Sequence, residues 1–240
     1  EKTREQKLTE FQNKLASLTF LDPACGSGNF LTETYLSLRR LENELLRLRL
    51  GKQMIMGAVD PIRVSIGQFY GIEINDFAVT VAKTALWIAE SQMMKQTEEI
   101  VNMNLDFLPL KSYANIVEGN ALRLDWESVV PKDKLNYIMG NPPFVGYSLQ
   151  SPEQKQDILS IYVDEKGKPY KTAGKIDYVS GWYFKAAKLI AATNIRVAFV
   201  STNSITQGEQ VTAVWKPLYE RFNVHIDFAH RTFIWDSEAS

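Results

Sequence analysis

Apolar positions along this chain keep two different rhythms, and their alternation sets the expected fold. Short runs of branched and aromatic residues at 19–21, 68–74, 115–119, 135–139, 196–201 and 224–229 have the length and composition of strands. Between them, apolar residues recur at helical spacing. Leu8, Phe11 and Leu15 form a thin stripe over 1–17, and Leu31, Leu38, Leu41, Leu45 and Leu48 form a longer one that Gly51 is placed to cap. Val81, Ala85, Ile88, Ala89 and Met93 follow a cap at Asn75 or Asp76, and two further helices are read over 178–192 and 210–222. Strands alternating with helices predict an α/β fold with a mostly parallel, doubly wound sheet. The expected organisation is an N-terminal helix over 1–17 leading into one core over 18–240. Residues 52–67 read as a loop with a short helix. Residues 145–175 keep neither rhythm and read as a long polar loop; loops of that length are usually functional, which makes this one a candidate lid or substrate wall.

Composition removes several classes of protein. A chain of 240 residues, 45% apolar and 23% charged, has enough material for one large soluble α/β domain. No run approaches the roughly 18 apolar residues of a membrane span, and no signal peptide heads the chain. The single cysteine, Cys25, excludes an internal disulfide and suits a reducing cytoplasm. Two scattered histidines and that cysteine do not make a metal site. The net charge of −1, with lysines and acids interleaved through 145–175, gives no basic patch for gripping nucleic acid. The chain starts at Glu1 without methionine and ends in an acidic tail, so it is expected to be an excerpt of a larger protein.

Four groups of candidate chemistry stand at the ends of expected strands, the edge where open α/β sheets place ligands. After the first strand comes Asp22-Pro23-Ala24-Cys25-Gly26-Ser27-Gly28-Asn29-Phe30-Leu31. Its glycines let a ligand approach the main chain, the helix that follows offers N–H groups to a carboxylate or phosphate, and Asp22 is placed to meet an ammonium. A site that attracts both charges suggests an amino-acid moiety. Glu73 closes the second strand, where a carboxylate can accept from ribose hydroxyls. A dinucleotide fold would set that acid about 20 residues after the glycines; here the gap is more than twice as long, and Leu31 stands where a third glycine belongs. Asn120 and Ala121 turn behind the third strand. Asn141-Pro142-Pro143-Phe144 follows the fourth: the prolines fix an amide oxygen and the Pro142 carbonyl as two acceptors for one planar amine, with the Phe144 ring placed to stack on its base.

The string at residues 22–31 together with the NPPF motif at 141–144 resembles the class I S-adenosylmethionine-dependent methyltransferases of Rossmann-like fold, specifically the gamma-class adenine-N6 DNA methyltransferases. Residues 71–75 and 230–233 look most like the methylase domain of single-chain, type IIG-like restriction–modification enzymes. The resemblance runs from about Thr19 to Glu238, with the family's final antiparallel strand and target-recognition domain missing. It implies a site-specific adenine methyltransferase using S-adenosylmethionine, with double-stranded DNA bound through a recognition domain outside this segment, and a nuclease domain possible in the same polypeptide. Asp22, Pro23, Ala24, Cys25, Gly26 and Gly28 would hold the methionine part of the cofactor. Glu73 would hold its ribose, with Ile74, Asn120 and Ala121 around its adenine. Many members carry aspartate where Asn120 stands. Asn141 and Pro142, stiffened by Pro143, would accept from the target amine, and Phe144 would stack on the flipped base, which costs a few kcal/mol to extrude. RNA or protein-glutamine methylation, or a catalytically silent module on the same fold, are the alternatives.

Overall fold

The computed structural model describes residues 3–50, 61–102, 105 and 115–230. Gly51, residues 52–60 of the expected loop, and Arg231, Thr232 and Phe233 of the tail motif lie outside the described residues. The chain divides into two compact units, Glu1–Asn141 with Asn194–Phe199, and Pro142–Thr193 with Val200–Ser240.

In the first unit, β1 (Phe20–Asp22), β2 (Phe69–Glu73), β3 (Asn115–Glu118), β4 (Tyr137–Gly140) and β5 (Arg196–Phe199) form one sheet in the order β3-β2-β1-β4-β5. All four pairings are parallel, with Leu21 opposite Tyr70 on one side and Ile138 on the other. The order runs outward from β1 in one direction and resumes at β4 in the other. The loops leaving β1 and β4 therefore flank the switch point of the sheet, where such folds bind ligands. Phe20 stacks between its cross-strand partners Phe69 and Tyr137, with ring centroids 5.2 and 5.3 Å away.

Among the described residues three α-helices belong to this unit. In α1 (Arg4–Ser17), Thr3 and Gln6 form a capping box. The others are α2 (Asn29–Leu50) and α3 (Asp76–Val101). Of the two expected caps for α3, Asn75 is the one used, its side chain accepting the Ala78 N–H at 3.0 Å. The buried stripe of α2 runs through Leu31, Tyr35, Leu38, Glu42, Leu45 and Leu46, whereas Leu41 and Leu48 are 48% and 51% exposed. Two charged side chains displace leucines from the inside because their partners are inside as well. Glu42 accepts from Arg39, from Gln12 Nε2 and from the Arg63 N–H, and Arg39 donates to Thr97 Oγ1. The face of α3 also differs from expectation. Ala89 and Met93 are buried as read, but Val79, Ala82 and Leu86 take the place of Val81, Ala85 and Ile88. α3 carries apolar residues outside its buried stripe as well, Phe77, Trp87 and Ile88 among them, so its own sequence does not choose the face; packing on α2 and the sheet does.

The second unit contains α4 (Pro152–Ile161), α5 (Ser180–Ile190) and a helical run of α6 (Gly208–Gln210), a π-helical turn (Val211–Trp215) and α7 (Lys216–Phe222). The long loop expected over 145–175 is thus interrupted by a ten-residue helix. Its start is written in the sequence as a capping box, Ser151 with Gln154, and a proline in the first turn. The π turn has a local cause. Pro217 has no N–H for the Ala213 carbonyl four residues earlier, and the buried Tyr162 hydroxyl donates to the Ala213 and Val214 carbonyls instead. Tyr170 packs edge to face on Tyr162 and on Phe184, Phe222 packs edge to face on Phe184, and the Tyr162 and Phe184 rings meet at a tilt. The strand expected at 224–229 does not form. Those residues alternate in polarity but make no ladder among the described residues, and Ile226 and Phe228 are 50% and 79% exposed. Alternation provides two faces, but a strand also needs a neighbour for its N–H and C=O groups.

Candidate active site

The loop that leaves β1 is fixed by β2 as well as by its own hydrogen bonds, the Gly28 N–H donating to the Cys25 carbonyl at 2.8 Å. The Cys25 N–H donates to the Ile72 carbonyl at 3.1 Å, and the Gly26 N–H donates to Glu73 Oε2 at 2.9 Å. Cys25 is buried with its Sγ against Gly71, so close that a Cβ at 71 would lie 2.8 Å from it. Burial next to Asp22 and Glu73 drives its thiol well above the ordinary range, which makes it a packing group and not a nucleophile. At Gly26 the chain turns through a positive φ of 53°, and a Cβ there would meet nothing within 4 Å. The outer face of the loop is therefore bare main chain, open to a ligand.

Asp22 sits at the bottom of this loop, 1% exposed. Its Oδ1 accepts the Ala24 N–H at 3.0 Å. Burial raises its pKa to about 7; the Ala24 N–H pulls the other way and the charge of Glu73 adds to the rise. A half-protonated carboxyl in a buried site becomes a full carboxylate when a cation is brought to it.

Glu73, at the end of β2, joins three loops. Besides Gly26, its Oε1 accepts the Asn75 N–H at 3.0 Å, and its main-chain carbonyl accepts the Gly119 N–H at 2.8 Å. Ile74 beside it is 67% exposed. Behind β3, Asn120 uses its side-chain oxygen within its own turn, accepting the Leu122 N–H at 2.9 Å. Ala121 is buried, and its carbonyl takes the Trp126 indole N–H at 2.8 Å. Pro23, Ala24 and Gly28 complete the β1 loop.

Asn141 follows β4 directly and closes the first unit; it is exposed, and no hydrogen bond engages its side chain among the described residues. Pro142, Pro143 and Phe144 open the second unit, Pro142 buried and Phe144 44% exposed. The segment behind Phe144 is anchored by a residue that reading the sequence did not single out. Buried Asp177 accepts the Tyr147 N–H at 3.1 Å and the Ser204 hydroxyl at 2.6 Å, and the Tyr178 N–H donates to Val145 O at 2.9 Å. A lone acid between Ile176 and Tyr178, at the head of an aromatic-rich helix, was the available signal. Among the described residues no cluster of His, Cys, Asp and Glu is suited to a metal ion, and no helix is long and apolar enough to cross a membrane.

A parallel sheet whose switch point carries a glycine loop, a strand-end acid and an Asn-Pro-Pro-Phe turn is a Rossmann-like methyltransferase fold. The profile of the family described as MmeI, DNA-methyltransferase domain, matches residues 1–240, and the chain belongs to that family. It is 44% identical over 239 residues to DNA methyltransferase A of Bacillus subtilis (strain 168), covering 97% of this chain and 26% of that protein. Among solved structures, it is similar to the type IIL restriction–modification enzyme MmeI in complex with DNA, with a TM-score of 0.90 and 46% identity over 99% of this chain and 31% of that one. A nuclease-deletion mutant of the type ISP enzyme LlaGI shares the fold, with a TM-score of 0.50 and 18% identity over 83% of this chain and 17% of that one. The chain thus spans about a quarter of the curated relative and about a third of MmeI.

Proposed function

We propose that this domain transfers a methyl group from S-adenosylmethionine to the N6 amine of adenine in duplex DNA, as the modification part of a restriction–modification enzyme. The observation that carries the reading is the sharing of one sheet edge by two sites. β1 and β4 pair side by side in the first unit, so Asn141, the residue after β4, leaves the same sheet edge as the glycine loop, and an amine held there is next to whatever that loop holds.

The residues present fit the cofactor. The bare face at Gly26 leaves room for it, Asp22 offers an oxygen to its ammonium, and Glu73 keeps unused lone pairs on both carboxylate oxygens for its ribose hydroxyls. Exposed Ile74 offers an apolar surface for its adenine. When bound, the cofactor supplies a sulfonium methyl that needs no metal to activate it. The chain supplies alignment. Asn141 Oδ1 and the Pro142 carbonyl accept the two amine protons, which localises the nitrogen lone pair and stabilises the positive charge that builds as it attacks. Phe144 stacks on the extruded base, an interaction worth roughly 1–3 kcal/mol. Duplex binding, sequence recognition and any nuclease are assigned to parts of the protein beyond residues 1–240.

The test is transfer of a tritiated methyl group by the full-length protein to unmethylated duplex DNA and to the same DNA already methylated at adenine. Label recovered as N6-methyladenine from the first substrate only is the expected result. Label in cytosine, RNA or protein would overturn the proposal.

A further inference from the structure

The residue before the Asn-Pro-Pro-Phe turn has a role in the other site. Gly140 is the last residue of β4, paired in register with Phe199 of β5, and its φ is 154°. On the β1 side its α carbon faces the carboxyl of Asp22. A Cβ built at 140 would lie 2.4 Å from Asp22 Oδ1, 3.0 Å from Cγ and 3.4 Å from Oδ2. Neither backbone is free to move away: Asp22 pairs with Gly71 in β2, and Gly140 is held by β5. The carboxyl is therefore confined between the Ala24 N–H, which holds Oδ1 at 3.0 Å, and the bare α carbon of Gly140. Among the described residues no hydrogen bond engages Oδ2.

We infer that Gly140 is a positioning residue of the cofactor site: its missing side chain lets the Asp22 carboxyl keep the orientation that leaves Oδ2 for an ammonium. The inference rests on the reading of Asp22 as the cofactor's ammonium partner. One residue then serves as wall for one ligand and as hinge for the other, since Asn141, the acceptor for the target amine, is the next residue along. Any side chain at 140 must rotate the Asp22 carboxyl, breaking the Ala24 hydrogen bond and turning Oδ2 away.

The experiment is calorimetric titration of full-length protein with S-adenosylmethionine and with S-adenosylhomocysteine, for wild type, Asp22→Ala, Gly140→Ala and the double variant. Each single variant should weaken binding by about ten-fold or more, the range for losing a hydrogen bond to a charged group. The double variant should bind no more weakly than Asp22→Ala alone, because the clash has no partner left. Backbone strain at 140 is carried by Gly140→Ala and by the double variant alike, so it cancels from the coupling between the two substitutions, which is the quantity to read from the four proteins. Wild-type affinity should also rise with pH through neutrality, because only the ionised Asp22 attracts an ammonium; Glu73 is the titratable group acting on it, and the Cys25 thiol, itself pushed up by burial beside both acids, stays neutral. Gly140→Ala should flatten that slope, which a merely destabilised protein would retain in its folded fraction. Should Gly140→Ala fail to fold, the double variant should fold again, and failure of both to fold overturns the inference. So does normal binding by Gly140→Ala alongside impaired binding by Asp22→Ala, or additive losses in the double variant. Unchanged binding by Asp22→Ala would instead sink the ammonium reading on which the inference rests.

Discussion

Glu73 Oε2 accepts the Gly26 N–H at 2.9 Å, so the acid that ends β2 also holds the glycine loop that leaves β1. A residue read from sequence as a ligand contact is thus part of the frame as well. Its other oxygen fixes Asn75, the cap of α3, and its carbonyl holds Gly119 before Asn120.

Glu73→Ala is accordingly expected to act twice. Loss of a charge-assisted acceptor for ribose hydroxyls, worth roughly 1.5–3 kcal/mol, should weaken S-adenosylmethionine about ten- to a hundred-fold. The two released N–H groups should also lower the melting temperature of the ligand-free protein, which a purely ligand-facing acid would not do. Calorimetry and thermal unfolding on the same variant separate the two effects. An unchanged melting temperature would remove the structural half.

Asn141→Ala should behave in the opposite way. The side chain is exposed and unengaged among the described residues, so stability should stay within about 0.5 kcal/mol of wild type, as for surface positions. Cofactor affinity should change by no more than a few fold, while methyl transfer is abolished. Near wild-type turnover in the full-length variant would contradict the assignment of the target amine to Asn141.

Asp22 imposes a pH dependence whose sign is fixed by burial. The folded protein keeps the proton up to about 7, whereas the unfolded chain loses it near the ordinary 3.8. Between those values the folded state binds more protons, so this group's contribution falls as pH rises and is level outside the window. Ligand-free wild type should lose stability relative to Asp22→Asn from about pH 4 to 7, by an amount on the order of a few kcal/mol. Denaturant unfolding across that range gives the comparison, and parallel curves for the two proteins would refute it.

Asp177→Ala should loosen the segment behind Phe144. It strands the Tyr147 N–H, an unsatisfied group worth about 1–3 kcal/mol when buried, and leaves the Ser204 hydroxyl only its contact with Thr202 Oγ1. The expected result is a lower melting temperature together with a fall in kcat greater than any change in the KM for cofactor. Asp177→Asn keeps an acceptor for Tyr147 and should recover much of both. If Asp177→Ala turned over normally, the anchor would have no bearing on Phe144.

The sequence by itself determined the strands and which residue types stand at the sheet edge. Strand-length apolar runs placed β1 to β5 to within a few residues, because branched and aromatic residues cluster in strands whether these are central or at an edge. The motifs at 22–31 and 141–144 were legible because glycine frees the backbone and proline fixes it wherever they stand. Tertiary structure decided what depends on partners far along the chain. Glu42 and Arg39 could go inside only because Gln12, Thr97 and the main chain at 63 were there to receive them. α3 has apolar residues outside its buried stripe as well, so its neighbours chose its buried face. Val224–Ala229 has the alternation of a strand and no strand beside it among the described residues. The closeness of Gly140 to Asp22, 118 positions apart in the chain, follows from β1 and β4 being neighbours. Local patterns record what a segment can bury; which groups meet depends on the order of the strands, and that is a property of the whole sheet.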